Sequence, residues 1–397
     1  MLQQGWVPSS DGMMDPAKAR AALQLIEYIS DRLTQTRLLF ASDAEHKKAF
    51  HGEAAQAVRD WRRSSVCMFP GCDQRTITAS HTLQRAGPIS PLLEDDHVLT
   101  PRSYKGRLSM VKIGGAEAST FPGYCAGHES AFSSFERARR IRSETDLALQ
   151  IFRSLCREIR RKEFDLARLE TRVADLHARL SRDVEHEARR LRVEFSTFTY
   201  QGMNLNLAED YIEEAAGTLA ELRALHAAHY PTVEQSGPTA LEGIAFEIEL
   251  PFPVALSGMT DLHLPDRTVM CLLGVIPQDI GTLIFMVGPP GSQDRINGHL
   301  EHKTARLPLI DTIERWMIRG TDHWFIKPSV WRAIPAARQR ALLAEMQKTN
   351  HGIGTPLTLS IFDDMRREAA AVAFPPPPAV RSPVVEAYVA EQLNRIR

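Results

Sequence analysis

At 397 residues the chain exceeds one average domain, and its 43% hydrophobic and 24% charged residues are those of an ordinary globular protein. A formal net charge of -1 excludes a global field drawing the chain to nucleic acid or an anionic membrane, so such binding must come from a local patch. Residues Met1 to Asp15 lack the cationic start and apolar run of a signal peptide, so a cytoplasmic protein is expected.

Asp15-Pro16 marks a helix start, with a carboxylate at the N-cap and proline in the first turn. Ala22, Ile26, Ile29 and Leu33 then recur at helical spacing, and a second helical stretch is expected from about Asp43 to Arg63. From Ser64 to about Glu136 the texture changes to turns and short β-prone pieces, Thr76-Ile77-Thr78 and Val111-Lys112-Ile113, with a Gly114-Gly115 pair and Phe121-Pro122-Gly123. A segment with so little core of its own usually needs a staple.

The cysteines suggest which staple. Of five, Cys67, Cys72 and Cys125 fall here beside turn residues, whereas Cys156 and Cys271 lie in apolar periodic segments and read as buried, inert thiols. Cys67-Met-Phe-Pro-Gly-Cys72 and Cys125-Ala-Gly-His128 each place a glycine between two soft ligands, so that each pair can turn onto one ion. Two such knuckles make a tetrahedral structural zinc site, and a helix from Ser130 onward completes a treble-clef arrangement. The alternative is two unrelated turns with buried thiols.

The segment also resembles the HNH (ββα-metal) nuclease family, where a Cys pair precedes a strand ending in Asp-His or a variant of it, and a second Cys pair follows. Here the run is Arg75-Thr-Ile-Thr-Ala-Ser80-His81, and the resemblance covers residues 67–136 only. It implies that His81 matches the base that activates water, Ser80 the preceding metal-ligand position, and Glu129 the terminal ligand of a catalytic Mg²⁺ or Mn²⁺. Ser80 stands where the family carries a carboxylate, and the family's central Asn has no counterpart, since Asn204 is the first asparagine of the chain. From the residues alone His81 reads three ways: catalytic base, a histidine beside the zinc ligands, or a packed and hydrogen-bonded side chain. Asp95 and Asp96 are further candidate carboxylates.

From Phe135 to Arg192 the pattern is helical and free of proline. Leu166, Leu169, Val173, Leu176, Leu180 and Val184 alternate by three and four as in a coiled-coil seam. After a break at Thr199 to Asn206 a second helix is expected over Leu207 to His229, giving a helical hairpin that either packs within the chain or forms a homodimer. Arg137, Arg139, Arg140 and Arg142, extended by Arg157, Arg160, Arg161 and Lys162, could track a phosphate backbone, but the interspersed Glu136, Glu144, Glu158 and Glu163 equally suit a solvated helix face.

Pro231 to Pro238 reads as a linker. Beyond it Phe246, Ile248 and Leu250 alternate with Glu247 and Glu249, as a half-buried strand does. Val269 to Val287, interrupted by Pro277, Gln278 and Asp279, reads as two buried strands and a turn rather than a membrane span. Helices are expected over Leu307 to Ile318 and Pro335 to Gln347, a short strand over Leu357 to Ile361, and a loop packing Trp324 and Trp331. Pro375 to Pro378 is a stiff tie to a last helix, Val384 to Ile396.

The expected class is α+β, with a sheet mixed or antiparallel. The expected organisation is a helical segment (1–63), a zinc-binding treble-clef module (64–136), a helical arm (137–230), an α+β domain (239–374), and a Pro-rich linker with a terminal helix (375–397). Two functions remain open. One is a metal-dependent nuclease on DNA or RNA, of the kind the resemblance associates with bacterial defence. The other is a non-catalytic interaction or ligand-binding protein stapled by zinc.

Overall fold

The computed structural model describes residues 15–35, 59–77, 79–104, 107–193, 203–235, 239–263, 268–301, 306–348 and 352–373, with a few isolated positions besides. Most of the stretch Asp43 to Arg63, the polyproline run and most of the last helix lie outside these residues, as does the break around Gly202. The chain is α+β, with helix predominating over strand, and it divides into two units: Met1–Trp61 with Arg161–Glu221, and Arg62–Arg160 with Leu222–Arg397.

In the first unit, helix α1 (Pro16–Thr34) starts where the sequence marks it. Asp15 is the N-cap, its carboxylate accepting from the Ala17 N–H at 2.9 Å, with Pro16 in the first turn. Its Leu25 and Leu33 bury against Leu180, Val184 and Ala188, with Leu176 packed alongside. The lower half of the heptad-like seam is therefore covered by α1 within the same chain.

In the second unit, short strand β1 (Ser80–His81) precedes a long hairpin, β2 (His97–Tyr104) and β3 (Arg107–Gly114), and β4 (Thr120–Phe121) returns to pair antiparallel with β1. Thr76 and Ile77 stand outside any strand, although Val111 to Ile113 fall in β3. Then come α2 (Ala126–Glu129) and α3 (Ser133–Ala138). The two long helices α4 (Glu144–Leu191) and α5 (Met203–Gln235) contribute residues to both units. Helix α5 runs through Pro231, so the expected linker begins later than proline alone suggests. Its last turns are anchored: His229 is buried with its Nε2 2.8 Å from the Ala148 carbonyl oxygen, and Thr232 is buried too. This packing offsets the single backbone donor that proline lacks.

Strands β5 (Glu242–Ile248), β6 (Val254–His263), β7 (Thr268–Gln278) and β8 (Gly281–Gly288) follow, then α6 (Gln293–Leu300), α7 (Arg306–Arg315), β9 (Trp324–Ile326), α8 (Pro328–Ala333), α9 (Ala336–Glu345) and α10 (Asp363–Ala373). The seven-stranded sheet has the order β3-β2-β9-β6-β7-β8-β5, and every pairing in it is antiparallel. The hairpin β2–β3, which lies between the two knuckles in sequence, thus joins the same sheet as the strands beyond residue 239. Residues 357–361 form no strand, and the segment around Trp324 and Trp331 is a strand and a helix that bury both indoles.

Alternate residues of β6 to β8, among them Val254, Leu256, Cys271, Leu273, Ile284 and Met286, join one core with Ile310, Ile313, Trp316 and Phe362 of the C-terminal segments. The opposite face receives the start of α4, where Ser154 Oγ lies 2.7 Å from Ser257 Oγ of β6. Both faces of β7 and β8 are buried, which is why they read as unbroken apolar runs. Among the described residues no helix is long and apolar enough to cross a membrane.

Candidate metal centre and adjoining cleft

The first knuckle is a tight reversal. Val66 bridges Arg75, the Cys67 N–H donates to the Gln74 carbonyl at 2.9 Å, and the Cys72 N–H donates to the Phe69 carbonyl at 3.1 Å. Gly71 turns the chain at φ +76°, where a side chain would have room but not the conformation, so glycine is required for its backbone freedom. The second knuckle opens α2. Cys125 is its N-cap, and the thiol accepts from the His128 N–H at 3.5 Å. Two backbone bonds hold the knuckles together, Met68 N–H to the Gly123 carbonyl (3.0 Å) and Ile77 N–H to the Tyr124 carbonyl (2.7 Å).

The ligand atoms of Cys67, Cys72, Cys125 and His128 consequently all lie within 4.8 Å of one another, a group that could hold a metal ion. His128 Nδ1 is 3.4 Å from both Cys67 Sγ and Cys125 Sγ. A tetrahedron with Zn–S of about 2.3 Å and Zn–N of about 2.0 Å has S···N edges of about 3.5 Å, so the donor set and its spacing fit zinc. The imidazole is held by stacking on Phe69, with centroids 4.2 Å apart and planes 10° from parallel. Phe69 in turn abuts Phe152 of α4 at 5.0 Å and Tyr124 at 5.5 Å. Burial pushes the Cys67 thiol up to about 11, while the His128 backbone N–H draws Cys125 down. A bound dication would favour the thiolate at each sulfur.

Beside the knuckles, β1 and β4 pair through Ser80↔Phe121 and His81↔Thr120, so a two-stranded ribbon leads directly into the second knuckle and its helix. Ser80 is fully buried, its Oγ accepting from the Tyr124 N–H at 3.1 Å. His81 instead lines a cleft of about 380 Å³, together with Gln84, Arg85, Ser90, Glu129 and Glu136. Burial foremost, then the charge of Arg153, lowers the His81 imidazole below its ordinary 6.5, so it is neutral near pH 7. Burial raises the Glu129 carboxyl, against the opposing pull of Arg153.

Arg153, which periodicity alone does not single out, sits under this cleft. It is fully buried on α4, with its Nη2 2.6 Å from Glu136 Oε1 and 3.2 Å from Glu129 Oε1. The guanidinium carbon lies 4.0 Å from the centroid of the Phe132 ring. Among the described residues, Cys67, Cys72, Cys125 and His128 are the group that converges on one ion; His81, Glu129 and Glu136 share the cleft without converging as closely. Asp95 and Asp96 lie outside the cleft lining, and Asp96 pairs with Arg85 at 2.9 Å.

The basic stretch after the module is partly committed to contacts within the chain. Arg140 pairs with Glu247 at 2.8 Å, Arg137 donates to Ser133 Oγ, Arg157 pairs with Glu158, and Arg160 donates to the Val66 carbonyl at 2.7 Å. Cys156 and Cys271 are buried thiols, both pushed up to about 12 by burial.

No protein-family model, curated protein or solved structure matches this chain.

Proposed function

We propose that Cys67, Cys72, Cys125 and His128 hold a structural zinc ion, and that the cleft beside it is a divergent HNH-like hydrolytic site acting on phosphodiesters of DNA or RNA. The observation that carries the reading is the shared cleft. His81, at the end of a strand, opens onto the same space as Glu129, the last residue of the short helix α2 that the second knuckle opens. In this reading the neutral imidazole of His81 takes a proton from the attacking water, and the carboxylates bind and orient what enters the cleft. Among the described residues His81, Glu129 and Glu136 do not converge closely enough to form a ligand set for a catalytic Mg²⁺ or Mn²⁺.

The second reading, a non-catalytic protein stapled by zinc, draws on the pairing of both cleft carboxylates with Arg153. One set of measurements separates the two. Purified protein is expected to carry one zinc per chain, and Cys72→Ser to lose it along with thermal stability. Protein without stoichiometric zinc would sink the four-ligand assignment. Cleavage of single- and double-stranded DNA and RNA, assayed with Mg²⁺, with Mn²⁺ and with neither, is expected to fall about 10²-fold or more in His81→Ala. Cleavage that survives His81→Ala removes His81 from the chemistry, and no cleavage of any substrate by the zinc-loaded wild type favours the non-catalytic reading.

A further inference from the structure

The ion pair under the cleft is unusual in what it leaves unsatisfied. Arginine offers five N–H donors in a rigid fork, yet only the Nη2 of Arg153 is used, shared between Glu129 and Glu136. Its Nε and Nη1 are buried and have no hydrogen-bond partner among the described residues. Glu129 Oε2 and His81 Nε2 are buried as well, but the Ser80 hydroxyl supports the Glu129 carboxylate and the backbone of Ala116 and Ala79 supports the imidazole. Orphaned buried polar atoms are rare, and each costs free energy, so two idle nitrogens on one buried guanidinium beneath a cleft call for a reason. Here one nitrogen ties two carboxylates from two successive short helices, α2 and α3, to a third element, α4.

We propose that Arg153 is a positioning residue for the cleft: sealed beneath it, the guanidinium clamps Glu129 and Glu136 side by side and presents a fixed positive charge to His81. Its service to a reaction rests on the hydrolytic reading above; the clamp itself rests on the ion pairs. The groups acting on His81 come from separate elements, Arg153 on α4 opposing protonation and Glu136 on α3 favouring it, with the backbone of Ala116 and Ala79 also favouring the charged form. Glu129 and Arg85 share the cleft with it. The clamp sets the balance among these charges and keeps the imidazole free to accept a proton.

The test is the imidazole titration of His81, followed by NMR on the zinc-loaded full chain without substrate and assigned by the signal lost in His81→Asn. Arg153→Gln is expected to move the midpoint up, Glu136→Gln to move it down, and Arg153→Lys to leave it near the wild type. A packing role alone would not give opposite signs for two partners of one ion pair. Zinc content and thermal unfolding establish that each variant is folded; should Arg153→Gln fail there, Glu136→Gln and Arg153→Lys still carry the test. Equal midpoints in all folded variants, or shifts of the same sign, would overturn the proposal. Absence of cleavage by the wild type would sink the hydrolytic reading instead, and the titration would still report on the clamp.

Discussion

Two fully buried arginines in the second unit, Arg153 and Arg366, solve the same electrostatic problem in opposite ways. Arg366 faces Glu314, whose side chain is as buried as its own (0% and 0%). Every polar valence of Glu314 is spent: one oxygen accepts from the Ile361 N–H at 2.7 Å and the Phe362 N–H at 2.9 Å, and the other pairs with Arg366 and lies 3.6 Å from Arg395. Arg366 Nε donates to Ser360 Oγ at 3.1 Å. The network stitches the backbone just before α10 to α7. Arg153 faces two carboxylates that retain 21% exposure each, and it leaves three of its five N–H donors idle. Burial of a charge is thus not diagnostic by itself. Completeness of its hydrogen bonding separates an arginine that holds a core together from one that serves a cleft.

If this distinction is right, the largest loss of stability comes from the saturated centre. Glu314→Ala strands Arg366 and frees two backbone donors, and should cost about 3–5 kcal/mol in denaturant unfolding. Arg153→Gln should cost less, about 1–3 kcal/mol, because the carboxylates it releases border a cleft and can be rehydrated while two orphan donors disappear. Equal losses at the two sites would break the comparison.

A third measurement concerns acid. Burial holds two histidines of this unit neutral: His81, whose imidazole the charge of Arg153 also opposes, and His299, which burial and then the charges of Lys303 and Arg315 lower to about 3. Above pH 6.5, the ordinary value, neither folded nor unfolded His299 binds the proton and stability is complete. As pH falls below 6.5 the unfolded chain takes the proton first, so stability is lost on the way down toward pH 3, by up to about 1.4 kcal/mol per pH unit for one such group. Unfolding midpoints measured between pH 7.5 and pH 5 should therefore decline, and His299→Asn should flatten part of that slope. A slope unchanged by the substitution would show that His299 titrates freely.

Much of this was open to reading in the amino-acid chain, and the limits have physical causes. The metal ligands are legible because two local turns, Cys67 to Cys72 and Cys125 to His128, encode the geometry at short range. Strands β7 and β8 are legible because burial on both faces leaves runs with few polar residues. Strand β6 escapes notice because Ser257, Thr260 and Asp261 interrupt its apolar pattern, although Ser257 is buried and bonded to Ser154. Helix α5 outruns its apparent stop at Pro231 because tertiary contacts of His229 outweigh a local propensity. Arg153 is invisible to spacing, since its partners lie 17 and 24 residues away on other elements. The membership of β2 and β3 in the large sheet depends on Leu99 meeting Ile326 through β9, a pairing that no local pattern announces.

That last pairing bears on how portable the knuckles are. The excursion from Thr82 to Ser119 leaves and re-enters through adjacent paired strands, and its two ends are joined by the bond from the Thr82 N–H to the Ser119 carbonyl at 2.9 Å. A fragment cut at residues 64 and 136 would carry away a hairpin whose neighbour β9 stays behind, baring a sheet edge that invites aggregation. Replacing the whole excursion with a short turn would instead keep the ribbon, both ligand pairs and His81, and would lower the chain entropy that closing the loop costs. The knuckle pair is a clasp fastened around a borrowed strand pair, and a minimal version of it is best made by shortening what it encloses.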